Sequence, residues 1–319
     1  MADTLSRSVI FKSKRSVVFK SKRGTMSFLK SVKFAKLSVC RLFCRLSSST
    51  ASSPQDVHLN YLKESDKGIV VLELNRPGAK NALNRTLAAN LFQAIDAIKY
   101  DTDVRVLIVR SLVPGIFCAG ADLKERLKLS NLEVKIFVSQ LRALTTAVEN
   151  LPMPVIAAID GAALGGGFEL ALACDMRTAS NDAILGLVET RLAIIPGAGG
   201  TQRLSRLIGP AFAKELIFTA KTVTGAQALE MGIVNYADKQ NSDGNAAYVK
   251  ALELGREIIP NGPVGLKMAK VAINAGLDVD MKTGNVIEEA CYAQVIPTRD
   301  RVEGLTAFLE KRRAVYTGD

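Results

Sequence analysis

Tryptophan is absent from this 319-residue chain, and histidine occurs once, as His58. A single histidine excludes a Ser-His-Asp or Cys-His relay elsewhere in the chain, an HExxH zinc site and clustered imidazole ligands for a metal. His58 itself reads as a solvated loop residue. Cysteine is sparse: Cys40 and Cys44 lie near the start, and Cys118, Cys174 and Cys291 are far apart. Such a set argues for a reducing compartment and against a disulfide framework. Long apolar runs are missing too. The most apolar stretch, 154–174, is broken by Asp160 and Glu169 and crowded by Gly161, Gly165, Gly166 and Gly167, whereas a spanning helix needs about 20 apolar residues with few or no charges. It predicts a buried strand, a turn and a buried helix.

Acidic residues are nearly missing from the first 53 positions, which hold Asp3 alone against 12 Lys plus Arg. That segment therefore carries the whole formal excess of +11, and 54–319 is formally neutral. Basic, Ser-rich, acid-poor composition is that of an organellar presequence, mitochondrial before chloroplast. A basic arm that binds nucleic acid is the alternative. The segment repeats RSVIFKSKR as RSVVFKSKR eight residues later, and Met26 opens a second stretch that would itself serve as a presequence.

The rest of the chain is long and apolar enough to bury a sizeable core, since 48% of all residues are hydrophobic. Residues 54–68 are polar and read as a linker. Ile69 to Leu74, Val104 to Val109 and Pro154 to Ile159 read as strands. Asn84 can cap a helix carrying Leu87, Leu91, Ile95 and Ile98 at helical spacing, and 133–150 reads as another helix. Short strands are expected near Met176 and over 184–187, with helices over 169–173 and 200–208. This alternation predicts an α/β core over 54–255. Thr224 with Gln227 forms a capping box, Gly232 closes that helix and Pro263 opens another. The end of the chain, 256–319, reads as a helical oligomerisation region.

GAALGGG and PGAGG resemble nucleotide loops only superficially. Neither follows the GxGxxG pattern with an acid about 20 residues on, and neither ends in GK(S/T). What glycine permits is close approach of backbone amides to a ligand oxygen. In Leu164-Gly165-Gly166-Gly167-Phe168-Glu169 the glycines enter an apolar helical run, and Cys118-Ala119-Gly120-Ala121-Asp122 has the same character. Two such segments can each donate one amide to a developing oxyanion. Glu169 stands alone in an apolar helix, so it must be paired, protonated or functional. Glu189 precedes a second glycine-rich turn and has Arg191 as a possible structural partner. Taken singly, either acid reads equally well as structural or catalytic.

The segments CAGADLKE, DGAALGGGFELALACD and LVETRLAIIPGAGGTQRL resemble the crotonase (enoyl-CoA hydratase/isomerase) family, and the resemblance runs from about residue 60 to the end. KELIF, IEEACYAQ, IPTRDR and EGLTAFLEKR are most similar to its branch of methylglutaconyl-CoA and AU-rich-RNA-binding hydratases. The resemblance implies a spiral of ββα units with a C-terminal helical trimerisation domain, assembled as a dimer of trimers. It implies that the amides of Ala121 and Gly166 hold a thioester oxygen while Glu169 and Glu189 hold water between them, Glu169 activating it and Glu189 delivering the α proton. Lys124 would meet the phosphates of coenzyme A, and Phe308 and Lys311 of a neighbouring subunit would touch the same group. It implies no cofactor, coenzyme A being part of the substrate, and no metal.

Double-bond isomerases of the family typically need only the acid at position 189, so the presence of both favours hydration over isomerisation. RNA binding is a further alternative. It is disfavoured because the helix over 84–100 carries only Arg85 and Lys99, whereas phosphate binding needs clustered bases. Straight-chain enoyl-CoA esters of fatty acid breakdown are the expected substrates. A methylglutaconyl group would require a Lys or Arg at the acyl pocket; Arg126 is near enough, with its direction left open.

Overall fold

The structure is a computed structural model that describes residues 56–319. The presequence expected over 1–53, with Met26, Cys40 and Cys44, lies outside the described residues.

The chain opens with β1 (Val57–Tyr61), β2 (Ile69–Leu74) and α1 (Arg85–Ile98). A second stretch follows as β3 (Val106–Ser111), β4 (Ile116–Cys118), α2 (Leu123–Arg126) and α3 (Asn131–Glu149). Next come β5 (Val155–Ile159), β6 (Ala162–Leu164) and α4 (Gly166–Leu172), then β7 (Met176–Ser180), β8 (Ile184–Gly186) and α5 (Gly200–Ile208). The strand-strand-helix unit thus recurs. Both strands of the first unit and the first strands of the next three join one sheet, ordered β1-β2-β3-β5-β7 and closed at its far edge by β10 (Tyr236–Asp238). The second strands of those three units build a smaller sheet, β4-β6-β8, whose edge is β9 (Val223–Thr224). Pairing is parallel except for β1 on β2 and β9 on β8. From the third unit on, each turn of the spiral lies against the previous one in both sheets.

The large sheet is buried on both faces, which explains its near-continuous apolar strands. Val70, Leu72 and Leu74 join the main core with Leu107, Val109, Val155 and Ala157. The alternate residues, Ile69, Val71, Val106, Ile108 and Ile156, face the other way and meet Ala251 and Leu254. Those two belong to the third helix of a run: α6 (Pro210–Thr219), α7 (Gly225–Glu230), α8 (Ala246–Ile258), α9 (Pro263–Gly276), α10 (Met281–Val295) and α11 (Arg299–Leu309). α8 lies so close that a Cβ on Gly255 would come within 2.8 Å of the Ile69 side chain. The boundary expected at 255 falls inside this helix.

Most expected elements form where their caps and periodicity put them. Asn84 accepts the Leu87 amide at the start of α1, and Thr224 with Gln227 closes its capping box on α7. The expected linker is a correction. Val57 to Tyr61 pairs antiparallel with β2, and Val57 is buried, so this part of the expected linker belongs to the sheet and His58 is a strand residue opposite Glu73 rather than a loop residue. Its inward positions are few because it is an edge strand.

Candidate functional site

Two backbone segments meet because each lacks a side chain at the point of contact. Gly120 has φ +91°, and a Cβ there would lie 2.7 Å from the Leu164 oxygen and 3.3 Å from the Gly166 nitrogen. Gly165, at φ 50° and ψ −126°, turns the chain from β6 into α4 in a conformation that only glycine adopts readily. Gly166 then supplies the first amide of α4, and its Cα faces the Ala121 nitrogen.

Residues 80–83 hold Ala121 in place. The Ala119 amide donates to the Lys80 oxygen at 3.1 Å, the Leu83 amide to Gly120 at 2.7 Å and the Asp122 amide to Leu83 at 2.9 Å. Bonding on both sides of Ala121 turns its own N–H away from that loop. Asn81, fully buried at φ 54°, locks the loop by accepting the Arg76 amide and donating to Ser111 Oγ and the Phe117 oxygen. Asp122 caps α2 by accepting the amides of Lys124 and Glu125, and pairs with Arg76 at 3.1 Å. The Ala121 and Gly166 amides therefore sit side by side on rigid backbone.

Both acids open into the same cavity, about 820 Å³, which Ala121 and Gly166 also line. Glu169, on α4, is 3% exposed. Its Oε1 accepts the amides of Ala198 and Gly200, each at 2.8 Å. Burial pushes its pKa up, and the Gly200 and Ala198 amides pull against that rise. The turn that supplies these amides is buttressed from α3 and α5. Thr145 Oγ1 donates to the Ala198 oxygen at 2.7 Å and Arg142 Nε to the Gly197 oxygen at 3.0 Å. Arg203 donates to the Ala198 oxygen and forms a bidentate pair with Glu149, at 3.1 and 2.7 Å.

Glu189 starts the 3₁₀ turn Glu189–Leu192. A Cβ on Gly165 would approach its Oε1 to 3.2 Å, and its buried Oε2 has no hydrogen-bond partner among the described residues. Burial pushes its pKa up to about 7; its own backbone amide opposes that rise, and the charge of Glu169 adds to it more weakly, with Arg126 the weakest opposing effect. The two carboxyls thus differ in kind: one oxygen of Glu169 is held by two amides, whereas Glu189 has an unpartnered oxygen in an apolar wall. That arrangement can keep one ionised and the other protonated. Arg191, the partner expected for Glu189, is exposed and makes no ion pair among the described residues. The buried thiols of Cys118 and Cys174 are pushed up to about 12 by burial, which makes them poor nucleophiles. Among the described residues no His, Cys, Asp and Glu cluster could hold a metal, and no helix is long and apolar enough to cross a membrane.

A family profile described as "Enoyl-CoA hydratase/isomerase" matches residues 64–319. The chain belongs to the enoyl-CoA hydratase/isomerase family. It is 56% identical over 272 residues to human "Methylglutaconyl-CoA hydratase, mitochondrial", spanning 85% of this chain and 80% of that protein. It is 49% identical over 276 residues to Arabidopsis thaliana "Probable enoyl-CoA hydratase 2, mitochondrial", spanning 86% and 90%. The crystal structure of an enoyl-CoA hydratase from Bacillus anthracis superimposes with a TM-score of 0.79 at 44% identity, covering 83% of this chain and all of that one. The ββα spiral described above is therefore the crotonase fold.

Of the expected site residues, Ala121, Gly166, Glu169 and Glu189 come together at the cavity. Lys124 is an exposed residue of α2 between Leu123 and Glu125, beside the cavity but not lining it. Phe308, 82% exposed on α11, and Lys311, just past that helix, do not line the cavity of their own chain. Sequence reasoning missed the amides of Ala198 and Gly200 as the partners of Glu169. The glycine-rich turn itself was the available signal, but it lies about 30 positions away from the acid. It also missed Asn81, whose neighbours in sequence give no hint of its burial, and it left the direction of Arg126 open.

Proposed function

We propose that this hydratase family member is a hydro-lyase that adds water across the 2,3 double bond of enoyl-CoA thioesters to give 3-hydroxyacyl-CoA. The observation that carries this reading is the convergence of Glu169 and Glu189 on one cavity with the adjacent amides of Ala121 and Gly166.

An enoyl thioester becomes electrophilic at its β carbon when its carbonyl oxygen can take charge as an enolate. The two amides accept that charge without titrating, and one such donor is worth about 3 kcal/mol. Water loses a proton to Glu169 as its oxygen bonds the β carbon. The electron pair of the double bond moves through the α carbon to the enolate oxygen. Its return captures the proton of Glu189 at the α carbon, and proton exchange between the carboxyls resets the pair. Glu169 suits the base because two amides stabilise its ionised form. Glu189 suits the acid because its pKa of about 7 leaves it substantially protonated near neutrality.

Coenzyme A arrives with the substrate, with Lys124 near its phosphates and Phe308 and Lys311 of a neighbouring copy against it. The exposed apolar side chains of the C-terminal helices, among them Leu277, Met281, Phe308 and Leu309, support assembly of copies into a homohexamer, a dimer of trimers. The basic segment 1–53 and the names of the human and Arabidopsis relatives support a mitochondrial location, in the matrix. Those names differ over the acyl group: one specifies methylglutaconyl-CoA, while the other is compatible with the straight-chain substrates expected from sequence.

The test is hydration of crotonyl-CoA by the wild-type protein and by Glu169→Gln. Loss of a general base lowers turnover by about 100- to 10,000-fold. Full retention of turnover by the variant removes Glu169 from the mechanism.

A further inference from the structure

The two acids of the cavity are held in different ways. Two amides grip Glu169 by its carboxylate, whereas among the described residues no hydrogen bond from another residue reaches the Glu189 carboxyl. Where the Glu189 side chain points is therefore set by the backbone that carries it.

That backbone is thinly tied. Beyond β8 the chain bonds mainly to itself: the Arg191 amide donates to the Val188 oxygen, the Ala193 amide to Thr190 and the Ile194 amide to Glu189. Arg191, Leu192, Ala193 and Ile195 are exposed. Among the described residues a single hydrogen bond joins 187–196 to another element. Thr190 Oγ1 donates to the Ile217 oxygen of α6 at 2.6 Å.

α6 is a firm anchor, because Ala213, Leu216 and Ile217 are buried in the main core. Past its end at Ala220 the chain turns into β9, which pairs with β8. Gly186 of β8 packs so tightly there that a Cβ on it would come within 2.9 Å of the Thr222 side chain. The segment from β8 to the 3₁₀ turn is thus clasped at one end by the β8–β9 pairing and at the other by Thr190, and Glu189 lies between the two attachments. A proton donor in such a place is sensitive to small shifts, since a misplacement of about 1 Å can cost about 100-fold in rate.

We propose that Thr190 is a positioning residue for the hydration step, its hydroxyl fixing the turn so that the Glu189 carboxyl faces the α carbon of the substrate. This rests on the hydratase reading, and it makes α6 part of the frame of the active site. Thr190 touches neither substrate nor water; it acts through its neighbour.

The experiment is steady-state hydration of crotonyl-CoA by the full chain carrying Thr190→Val, Thr190→Ser, Glu189→Gln or the combination of Thr190→Val with Glu189→Gln. Valine keeps the shape of threonine, but its methyl group cannot approach the Ile217 oxygen as closely as the hydroxyl does, so the turn backs away. The Ile217 oxygen still accepts the Ala220 amide at 3.3 Å, so no bare carbonyl is left and the fold tolerates the change. Thr190→Val is expected to lower kcat by about 10- to 100-fold while KM changes little, and Thr190→Ser, which restores the donor, recovers most of the loss. In the Glu189→Gln background Thr190→Val costs little further, because the group it positions has already lost its proton. A purely structural threonine would lower stability without that coupling. Thr190→Ala carries the same test and the same expectation where the valine variant does not fold. Wild-type kcat in a folded variant lacking the hydroxyl, a change confined to KM, or losses that multiply in the double variant would each overturn the proposal while leaving the hydratase reading in place. A wild-type protein that does not hydrate crotonyl-CoA would remove both.

Discussion

Replacing Glu189 by Gln removes a carboxyl that the fold prefers to keep protonated, so it should change stability in a pH-dependent way. The folded pKa of Glu189 is about 7, raised from 4.5 by burial and by Glu169. A carboxyl raised in this way costs the fold nothing while both states are protonated, below the unfolded value. The cost grows as pH rises and levels off once the folded form has ionised, above the folded value. Undiscounted, the shift corresponds to about 3 kcal/mol at 1.36 kcal/mol per unit. Glu189 borders an open cavity, and screening by solvent there reduces the expectation to about 1 to 2 kcal/mol. Gln is neutral throughout and shares the packing and the unpartnered polar atom of Glu. Comparing the variant with wild type at two pH values therefore cancels everything except ionisation. Denaturant unfolding at about pH 5 and about pH 8, at one protein concentration, should show Glu189→Gln gaining 1 to 2 kcal/mol on wild type at the higher pH. Parallel pH dependence of the two proteins would refute the raised pKa and, with it, Glu189 as the acid.

Two further perturbations test how the site is held. Gly120→Ala puts a Cβ 2.7 Å from the Leu164 oxygen at φ +91°, forcing apart the segments that carry the Ala121 and Gly166 amides. Crotonyl-CoA kcat should fall by about 100-fold or more, the effect of losing one oxyanion donor; wild-type kcat in a folded Gly120→Ala would show that the two amides do not act together. Arg203→Met breaks the bidentate pair with Glu149 and the bond to the Ala198 oxygen, loosening the turn that holds Glu169. Steady-state kinetics should show kcat falling by about tenfold while KM changes little, because the loss is felt in the transition state. A change confined to KM would count against that positioning role.

Local chemistry made much of this fold legible. α1 is announced by Asn84 and the spacing of its core residues, α5 by the glycines before it, and β2 by a run of six residues apolar but for Glu73. β1 was hidden because an antiparallel edge strand buries little: Val57 goes inside while Asn60 and Tyr61 stay exposed. The very short strands of the smaller sheet exist through pairing with distant turns, so no window of sequence contains their cause. The site divides the same way. Glu169 and Glu189 stood out as acids among apolar residues and glycines, yet each alone was ambiguous. What separates their roles is tertiary: two amides from the turn after β8 reach one of them, and none reaches the second oxygen of the other. The direction of Arg126 depends on how α2 leaves the Ala121 segment, which is set by the loop pinned at Asn81.

The central claim, that Glu169 and Glu189 act together on one water at one face of the double bond, is tested most directly by the stereochemistry of addition. Hydration of crotonyl-CoA in deuterium oxide, with the product's α and β configurations read by nuclear magnetic resonance, reports the faces at which oxygen and deuterium arrive. The account predicts a single diastereomer in which both arrive on the same face; addition to opposite faces, or a mixture, would contradict it.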